Sequence, residues 1–426
     1  MSVETPAAPS TWTALRRSPA VLRLTGSVAV SEVGTQVTML ALPLLALLQL
    51  GAGAGVVGLL TAAQFLPWVV LALPIGATVD RWSPPRHRQA LVGSDLVRAG
   101  LLTALPLLYA TGRLTVPVLL LVVLLVGATS VLAEITSGTV VPEVVERGLL
   151  AHVNGSIEAA RSLAMVVGPA LSGVLVAGFG AAQAVLLDAV SFVVSAALLA
   201  RLPVRSHEAR PRSRAPLTGM IREGVDVLRR DPVLGRLCLW STTSNLMGNA
   251  LTPVVLTLVV REAGMPPGLL GATLAVAAVG GVAGALASGP LALRVGHGRF
   301  VAGSGLVLGA GILGVGAIGL VASPQGLALA AWLAAAYAVT LAANVAGNAQ
   351  VATIRQHLVP EGQLARVIAA WRTLGYAGIP VGAALGGALG DAVGLRPVVV
   401  GSAIAFALTC LIPLARPIRR LRLAGP

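Results

Sequence analysis

Twelve long apolar runs, separated by short polar segments, recur along the whole chain. Each run holds about 20 residues or more, which is enough for a helix to cross a hydrocarbon core about 30 Å thick. The pattern therefore predicts an all-α membrane protein with twelve transmembrane helices. The predicted spans are 21–50, 56–79, 90–110, 116–141, 157–179, 183–202, 237–260, 269–293, 300–321, 326–350, 367–389 and 395–414.

A basic segment between the sixth and seventh spans divides the chain into six spans plus six. Its second part has apolar residues at helical spacing, which predicts an amphipathic helix on the membrane surface. The predicted organisation is a cytoplasmic N-terminal tail (1–20), a six-helix bundle (21–202), a cytoplasmic linker with a helix (203–236), a second six-helix bundle (237–414) and a basic cytoplasmic tail (415–426).

The two halves resemble each other in sequence. When Gly168 is placed on Gly382, Glu158 falls on Arg372, and a Pro-Glu pair precedes each copy. Duplication of a six-span unit would produce this pattern, and it is the organisation of many secondary transporters. We therefore expect two pseudo-symmetric six-helix bundles.

Composition supports a membrane protein, and charge placement predicts its orientation. Hydrophobic residues make up 56% of the chain, charged residues 11%, and the mean hydropathy is +0.88. All 30 basic residues are arginines, and most lie at the chain start or in alternate loops. By the positive-inside rule both termini lie in the cytoplasm, so the net charge of +14 does not indicate nucleic-acid binding. We expect a multi-pass monomer of the cell membrane, with the lipid bilayer and a small molecule as partners.

One short polar loop, between the second and third spans, carries a recognisable motif. It reads Gly76-x-x-x-Asp80-Arg81, followed by Arg86 and Arg88. It resembles the loop motif of the major facilitator superfamily, although Trp-Ser-Pro-Pro replaces the family's usual second glycine. The resemblance implies that Asp80 faces a helix N-terminus of the other half and holds the outward-facing state, where an anion is favourable near the positive dipole end.

Further motifs extend this resemblance over nearly the whole chain. They are similar, in order and spacing, to those of the drug and siderophore exporters of the proton-antiporter type, the group that includes the enterobactin exporter. The resemblance implies the major facilitator fold, and the family relates the glycine-proline pattern to antiporters, which favours export. The motifs are Asp95-Leu-Val-Arg98-Ala, Pro142, Asn154, Glu158 with Arg161, Gly168-Pro169-x-x-x-Gly173, Asp188-Ala-x-Ser-Phe192 and Arg229-Arg-Asp-Pro232.

Two glutamates inside the first half are candidates for proton coupling. A carboxylate within a bilayer costs several kcal/mol unless it is paired, protonated or facing water. Glu32 has polar neighbours that include Gln36, and Glu134 lies at a similar depth in the fourth span, so the two face one cavity in our interpretation. The alternatives are a neutral acid held by a hydrogen bond at Glu32 and a tether to the neighbouring loop at Glu134.

Other charged residues within spans suggest structure or gating. Glu158 and Arg161 lie three apart on one helix face, so they can pair. A pair between Glu158 and Arg372, which opens and closes with the gate, is the alternative, and substrate contact is a third. Asp95 and Arg98, near the cytoplasmic end of span three, predict a local network.

Uncharged polar residues and one aspartate complete the candidates. Asn245 and Asn249 in span seven, and Asn344 and Asn348 in span ten, recur at helical spacing. They line the cavity or hydrogen-bond between helices, two readings with equal support. Asp188 starts span six, where a helix cap is the simplest role.

The predicted function is export of a small amphipathic molecule, such as an antibiotic, a drug or a siderophore-like metabolite, by alternating access and proton antiport. A proton-coupled uptake carrier or a uniporter is the alternative. An enzyme is disfavoured because no His-Glu-x-x-His or phosphate-binding glycine loop occurs and all five histidines fall in predicted loops. A scaffold without transport is disfavoured by the cost of buried carboxylates. We expect no cofactor and no metal, with the proton gradient as energy source.

Overall fold

The structure is a computed structural model that is helical almost throughout, with no β-strand among the residues it describes. Those residues are 18–145, 149–202, 217–321, 326–360 and 363–421. Three predicted segments therefore lie wholly or partly outside the described residues, namely most of the N-terminal tail, the start of the linker (203–216) and the chain end (422–426).

The first half forms six long helices joined by short turns. Their bounds are Pro19–Leu44 (α1), Ala54–Val70 (α2), Pro84–Ala110 (α3), Val116–Val144 (α4), Leu150–Phe179 (α5) and Leu186–Ala200 (α6). Three short pieces extend them: the π turn Leu45–Gln49 continues α1, the helix Ala72–Val79 continues α2, and Ala181–Ala184 precedes α6.

The second half repeats this order after a linker helix, Leu217–Arg230, which packs on α11. Its long helices are Pro232–Thr257 (α7), Pro267–Val295 (α8), His297–Gly316 (α9), Gly326–Leu358 (α10), Leu364–Val393 (α11) and Leu395–Thr409 (α12). The π turn Leu258–Glu262 continues α7, the 3-10 turn Ala317–Leu320 continues α9, and Ile412–Leu414 and Arg416–Arg419 follow α12.

The described part contains ten helices that are long and apolar enough to cross a membrane, or eleven if α2 and its bent continuation form one span. The remaining segment is α11, a 30-residue helix with many glycines in its sequence. It packs between α2 and α7. The fold is thus the all-α, twelve-helix arrangement that the apolar pattern predicts.

Helix α2 is broken in a way that the apolar pattern does not show. Its axis bends by 47° between Val70 and Ala72. Pro74 follows the break and has no N–H to donate to the carbonyl one turn back, so the helix cannot run straight through. Leu71 still donates to Pro67 O at 2.7 Å, which keeps the last turn of α2 intact.

The two halves share backbone details as well as helix order. Both α1 and α7 end in a π turn, and each turn is followed by a glycine of positive φ, Gly51 (65°) and Gly264 (62°). Similarly, α5 and α11 end at Gly180 (88°) and Gly394 (103°). A side chain at these left-handed positions would strain the backbone. The pseudo-symmetry is therefore built into the turns.

The two ends of the bundle differ in chemistry. We call one end the basic face; it carries the loop that includes Arg81, the end of α6 at Arg201 and the linker helix. We call the other end the opposite face; it carries the turns at Gly51, Gly180, Gly264 and Gly394.

The halves touch along α2 with α11 and along α5 with α8, in the parts of these helices near the opposite face. A Cβ at Gly58 would lie 2.1 Å from the carbonyl oxygen of Ala383, and a Cβ at Gly173 would lie 2.9 Å from Gly271 Cα. Only glycine permits such close approach of backbones. By contrast, a Cβ at Gly76, near the basic face, would meet nothing within 4 Å. The structure is thus closed at the opposite face, and the short helix Ala72–Val79 near the basic face has no comparable packing against the second half.

Candidate functional site

Three charged side chains from three helices meet inside the first half. Arg161 on α5 donates from Nη2 to both carboxylate oxygens of Glu134 on α4, at 2.8 and 3.0 Å. Its Nε lies 3.0 Å from Oε1 of Glu32 on α1, an ion-pair contact. One guanidinium therefore joins two carboxylates. We call Glu32, Glu134 and Arg161 the Arg161 cluster.

The Arg161 cluster lies deep in the helices but is not sealed. Each of its residues is about 10 to 13 residues from the basic-face end of its helix, or roughly 15–20 Å along the axis. The side chains of Glu32, Arg161 and Glu134 remain 23%, 34% and 41% exposed. Side chains that converge from three helices and keep this exposure are accessible to water or a ligand.

The charges of the Arg161 cluster do not balance when all its groups are ionised. Two carboxylates then share one guanidinium, and an uncompensated charge inside a bilayer is costly. Binding a proton, or a ligand that is cationic or donates hydrogen bonds, offsets that cost. The arrangement can therefore exchange one kind of occupant for the other.

The pair between Glu158 and Arg161, expected from their spacing, does not form. Arg161 instead contacts Glu32 and Glu134, because its side chain reaches across to α1 and α4. Glu158 and Arg372 are both exposed, and no ion pair joins them in this conformation. The expected alternative pair between α5 and α11 is therefore absent as well.

The glycine-proline motif connects the Arg161 cluster to the interface between the halves. A Cβ at Gly168 would lie 2.2 Å from Gln36 Cβ, so α5 and α1 approach closely one turn beyond Glu32. The carbonyl of Pro169 would lie 2.4 Å from a Cβ at Gly271 on α8. The helix that carries Arg161 thus packs against both α1 and α8 at this motif.

A second charged group lies between α3 and α6. Arg98 forms an ion pair with Asp95, and its guanidinium lies over the ring of Phe192, 4.0 Å from the centroid. Asp188 is 1% exposed and accepts a hydrogen bond from Ser191 at 3.1 Å.

Two sequence interpretations change at this second group. Asp188 does not cap α6, since its carboxylate points into the bundle against Gly34 of α1. Asp95 and Arg98 lie about three helical turns inside α3 rather than near its end. Their local network is present, but it reaches α6 through Phe192.

The asparagines lie on α7 and α10, in the second half. Asn245 donates to Gly375 O at 3.3 Å, and Asn249 donates to Asn245 O at 2.8 Å. Asn348 donates to Asn344 Oδ1 at 2.9 Å, and both of these side chains are exposed. None of these hydrogen bonds reaches the Arg161 cluster.

The loop with the Gly76–Arg88 motif is exposed at the basic face. Asp80 and Arg81 follow the short helix after the break in α2, and both are exposed. The guanidinium of Arg86 lies 4.9 Å from the ring centroid of Trp82. Trp82, one of the residues that replace the family's second glycine, thus stacks with Arg86 within the loop.

His87 connects this loop to α4, and no sequence motif predicts this contact. It is fully buried; Nε2 lies 2.9 Å from Val79 O, and Nδ1 lies 3.1 Å from Oε1 of Glu143 at the end of α4. Its two ring nitrogens thus join the end of the short helix after α2 to the end of α4. The sequence placed all histidines in loops, but His87 lies in the first turn of α3. The one sequence feature related to this contact is the Pro-Glu pair at the end of span four, which contains Glu143.

Two further features bound the chemistry. Among the described residues no group of three or more His, Cys, Asp and Glu side chains could hold a metal ion. A cavity of about 370 Å³ lies between α3 and α4 and includes Trp82, Arg86 and Ser94, but no residue of the Arg161 cluster.

Comparison with known proteins identifies the family. The family model described as Major Facilitator Superfamily matches residues 24–383. The multidrug efflux pump Tap of Mycobacterium tuberculosis (strain ATCC 25618 / H37Rv) is 28% identical over 420 residues, which cover 96% of each chain. The Tap pump of Mycolicibacterium fortuitum is 26% identical, with 96% and 98% of the two chains covered.

The solved structures agree on the fold. The nucleoside transporter NupG has a TM-score of 0.75 at 11% identity, covering 95% of this chain and 100% of its own. The family match spans most of the chain, and the helices have the length and arrangement of that fold. This multi-pass membrane protein therefore belongs to the Major Facilitator Superfamily of transporters.

Proposed function

We propose that the protein exports a small amphipathic molecule by alternating access, in exchange for protons. The observation that carries the proposal is the sharing of Arg161 by Glu32 and Glu134, which leaves the cluster one proton short of neutrality. The direction of transport is supported by the two Tap multidrug efflux pumps, which match this chain along nearly their whole length. The cargo class is an antibiotic, a drug or a siderophore-like metabolite.

The proposed setting is the cell membrane, with the basic face in the cytoplasm. The concentration of arginines at that end supports this orientation, which places both termini in the cytoplasm. The structure is then the inward-facing state. In this arrangement the two moving bundles of a monomer are 21–202 and 237–414, the linker is 203–236, and the tails are 1–20 and 415–426.

Exchange follows from the charge of the Arg161 cluster. Facing the cytoplasm with Glu32 and Glu134 ionised, the cluster favours a cargo that is cationic or donates hydrogen bonds. Facing the outside, where protons are more abundant, one carboxylate takes a proton and the cargo loses a partner. The site thus holds either a proton or cargo, which is the requirement for antiport.

The remaining predicted residues take roles in binding and gating. Gln36, on the face of α1 that carries Glu32, and the half-exposed Asn245 and Asn249 across the bundle are the proposed cargo contacts. Gly168 and Pro169 transmit motion between α1, α5 and α8. The remaining assignments are Asn344 and Asn348 as cavity-lining residues, Gly76, Asp80 and Arg81 as the latch of the outward-facing state, and Asp95, Arg98, Glu158 and Arg372 as gating residues.

The test is transport by purified protein in proteoliposomes with an imposed pH gradient. Candidate drugs are first chosen by a susceptibility screen of an expressing strain. Glu32→Gln and Glu134→Gln remove a titratable group while keeping its shape, and each should lower gradient-driven transport at least tenfold. Glu223→Gln is the matched control: this exposed glutamate of the linker helix pairs with Arg366 of α11, away from the Arg161 cluster, so the variant should transport normally.

Different results separate the alternatives. Normal gradient-driven transport by both glutamine variants would contradict a coupling role for the Arg161 cluster. Transport by the wild type that ignores the pH gradient indicates a uniporter. Movement of the drug in the same direction as the protons indicates an uptake carrier.

A further inference from the structure

Asp391, near the end of α11, contacts the start of α2 across the interface between the halves. The backbone N–H of Gly55 donates to Asp391 Oδ2 at 2.9 Å. Gly55 is the second residue of α2, and the residue before that helix, Gly53, has no side chain to cap it. A carboxylate of the second half thus supplies the cap of a helix in the first half.

The start of α2 is shaped around this carboxylate. A Cβ at Gly53 would lie 2.6 Å from Asp391 Oδ1, and a Cβ at Gly55 would lie 2.4 Å from Oδ2. Gly387, one turn earlier on α11, packs with similar closeness against Ala54 O. A side chain at Gly53 or Gly55 would push Asp391 away from the N–H of Gly55.

The physical effect of this contact depends on the conformation. The first N–H groups of a helix have no partner within it, and its N-terminus carries a partial positive charge. A carboxylate there gains both a hydrogen bond and a favourable interaction with the dipole. Asp391 and Gly55 belong to different halves, so this gain exists only while the opposite face is closed.

The second interface between the halves provides an internal comparison. Gly268 is the second residue of α8, as Gly55 is of α2, and the residue of α5 that faces it is Ala177, whose Cβ lies 3.9 Å from the position of a Cβ on Gly268. The same helix packing thus forms without a carboxylate. Asp391 is an addition to one interface and is not required for packing.

We propose that Asp391 is a gating residue: by capping α2 it holds the opposite face closed and sets the balance between the two conformations. This rests on the alternating access of the proposed function. It also gives each face its own acidic latch, with Asp391 opposing the role that the motif implies for Asp80. Loss of Asp391 shifts the resting state toward the conformation that is open at the opposite face.

Distances between spin labels measure this balance without any cargo. The protein, with Cys238 and Cys410 replaced by alanine, is labelled in lipid nanodiscs and studied by double electron–electron resonance. One label pair, Thr111→Cys with Leu320→Cys, reports on the opposite face. A second pair, Ser83→Cys with Val295→Cys, reports on the basic face. All four positions are exposed.

Asp391→Ala should raise the ratio of opposite-face-open to closed molecules about fivefold, the factor that matches loss of a typical helix cap. Asp391→Asn, which keeps an acceptor and loses the charge, should give a smaller shift. Ala177→Asp should shift the ratio the other way, since it offers Gly268 the same cap. The control is Glu262→Ala: this glutamate lies at the same face but pairs with Arg396 within the second half.

The outcomes are distinguishable from failure of the proposed function. If Asp391→Ala gives the same distance distributions as the labelled protein with Asp391 intact, Asp391 is not a latch, whatever the wild type transports. A shift in Glu262→Ala as large as in Asp391→Ala also overturns it, because any lost carboxylate would then act alike. If the distances shift as expected while no drug is exported, the latch stands and the export proposal fails.

Discussion

At the scale of single residues, the choice of arginine at position 161 explains the geometry of its cluster. A guanidinium presents several N–H groups in a fixed plane, so it can meet two carboxylates from different directions. Arg161 uses Nη2 for Glu134 and Nε for Glu32. A lysine ammonium is a point charge on a flexible stem and would hold one partner at a time.

Removing Arg161 should destabilise the protein, because Glu32 and Glu134 would then face each other unpaired. Arg161→Ala should lower the free energy of unfolding by about 1–2 kcal/mol, less than for a fully buried pair because the side chains keep access to water. Adding Glu134→Gln should recover part of the loss, which thermal melting in detergent can measure. A melting temperature for the double variant below that of Arg161→Ala would contradict this explanation from charge balance.

His87 gives a second prediction at this scale. His87→Ala removes the two ring contacts, with Val79 O and with Glu143, from a buried site. We expect a loss of about 1–3 kcal/mol in stability and faster proteolysis of the loop between α2 and α3. His357→Ala is the control, since that ring is exposed and bonds only within its own helix.

At the scale of helices, periodicity and hydropathy predict the elements well, because each span must satisfy its own backbone in the bilayer. The twelfth predicted span and the observed helix α12 both begin at Leu395. The bend after α2 was missed because Pro74 lies inside an otherwise apolar run. The partners of Arg161 were missed because Glu134 lies 27 positions away in the sequence, whereas the expected partner Glu158 lies on the same helix.

Glycines at the interface should control closure of the opposite face. Gly173→Val should prevent α5 from reaching α8, since even a Cβ would lie 2.6 Å from Pro267 O. Gly178→Val on the same helix is the control, because nothing lies within 4 Å of its Cβ position. Labels at the opposite face should show separation in the first variant alone. Equal distances in both variants would mean that packing at Gly173 does not set the closed state.

At the scale of the whole molecule, helix geometry extends the observed interface to the conformation that is not seen. Gly155 lies 18 residues before Gly173 on α5, and Gly289 lies 18 residues after Gly271 on α8. Eighteen residues make five helical turns, about 27 Å along the axis. Gly155 therefore lies on the same face of α5 as Gly173, and Gly289 lies on the same face of α8 as Gly271. Neither Gly155 nor Gly289 has a neighbour within 4 Å of a Cβ position.

We therefore expect Gly155 and Gly289 to meet when the basic face closes. A Gly155→Cys, Gly289→Cys variant should form a disulfide under mild oxidation, and more of it when Asp391→Ala is added. A Gly155→Cys, Leu291→Cys variant should cross-link poorly, because Leu291 lies on another side of α8. Equal cross-linking of both pairs would show that the basic face does not close along this line.

The sharing of Arg161 by two carboxylates has a consequence for the driving force of transport. A cluster that exchanges one proton for one neutral cargo moves one net charge across the bilayer in each cycle. Such a cycle gains about 2.3 kcal/mol from every 100 mV of membrane potential, in addition to the pH gradient. A monovalent cationic cargo would cancel that charge and leave the pH gradient as the only driving force. A measurement of whether transport carries net charge would therefore distinguish a neutral cargo from a monovalent cationic one.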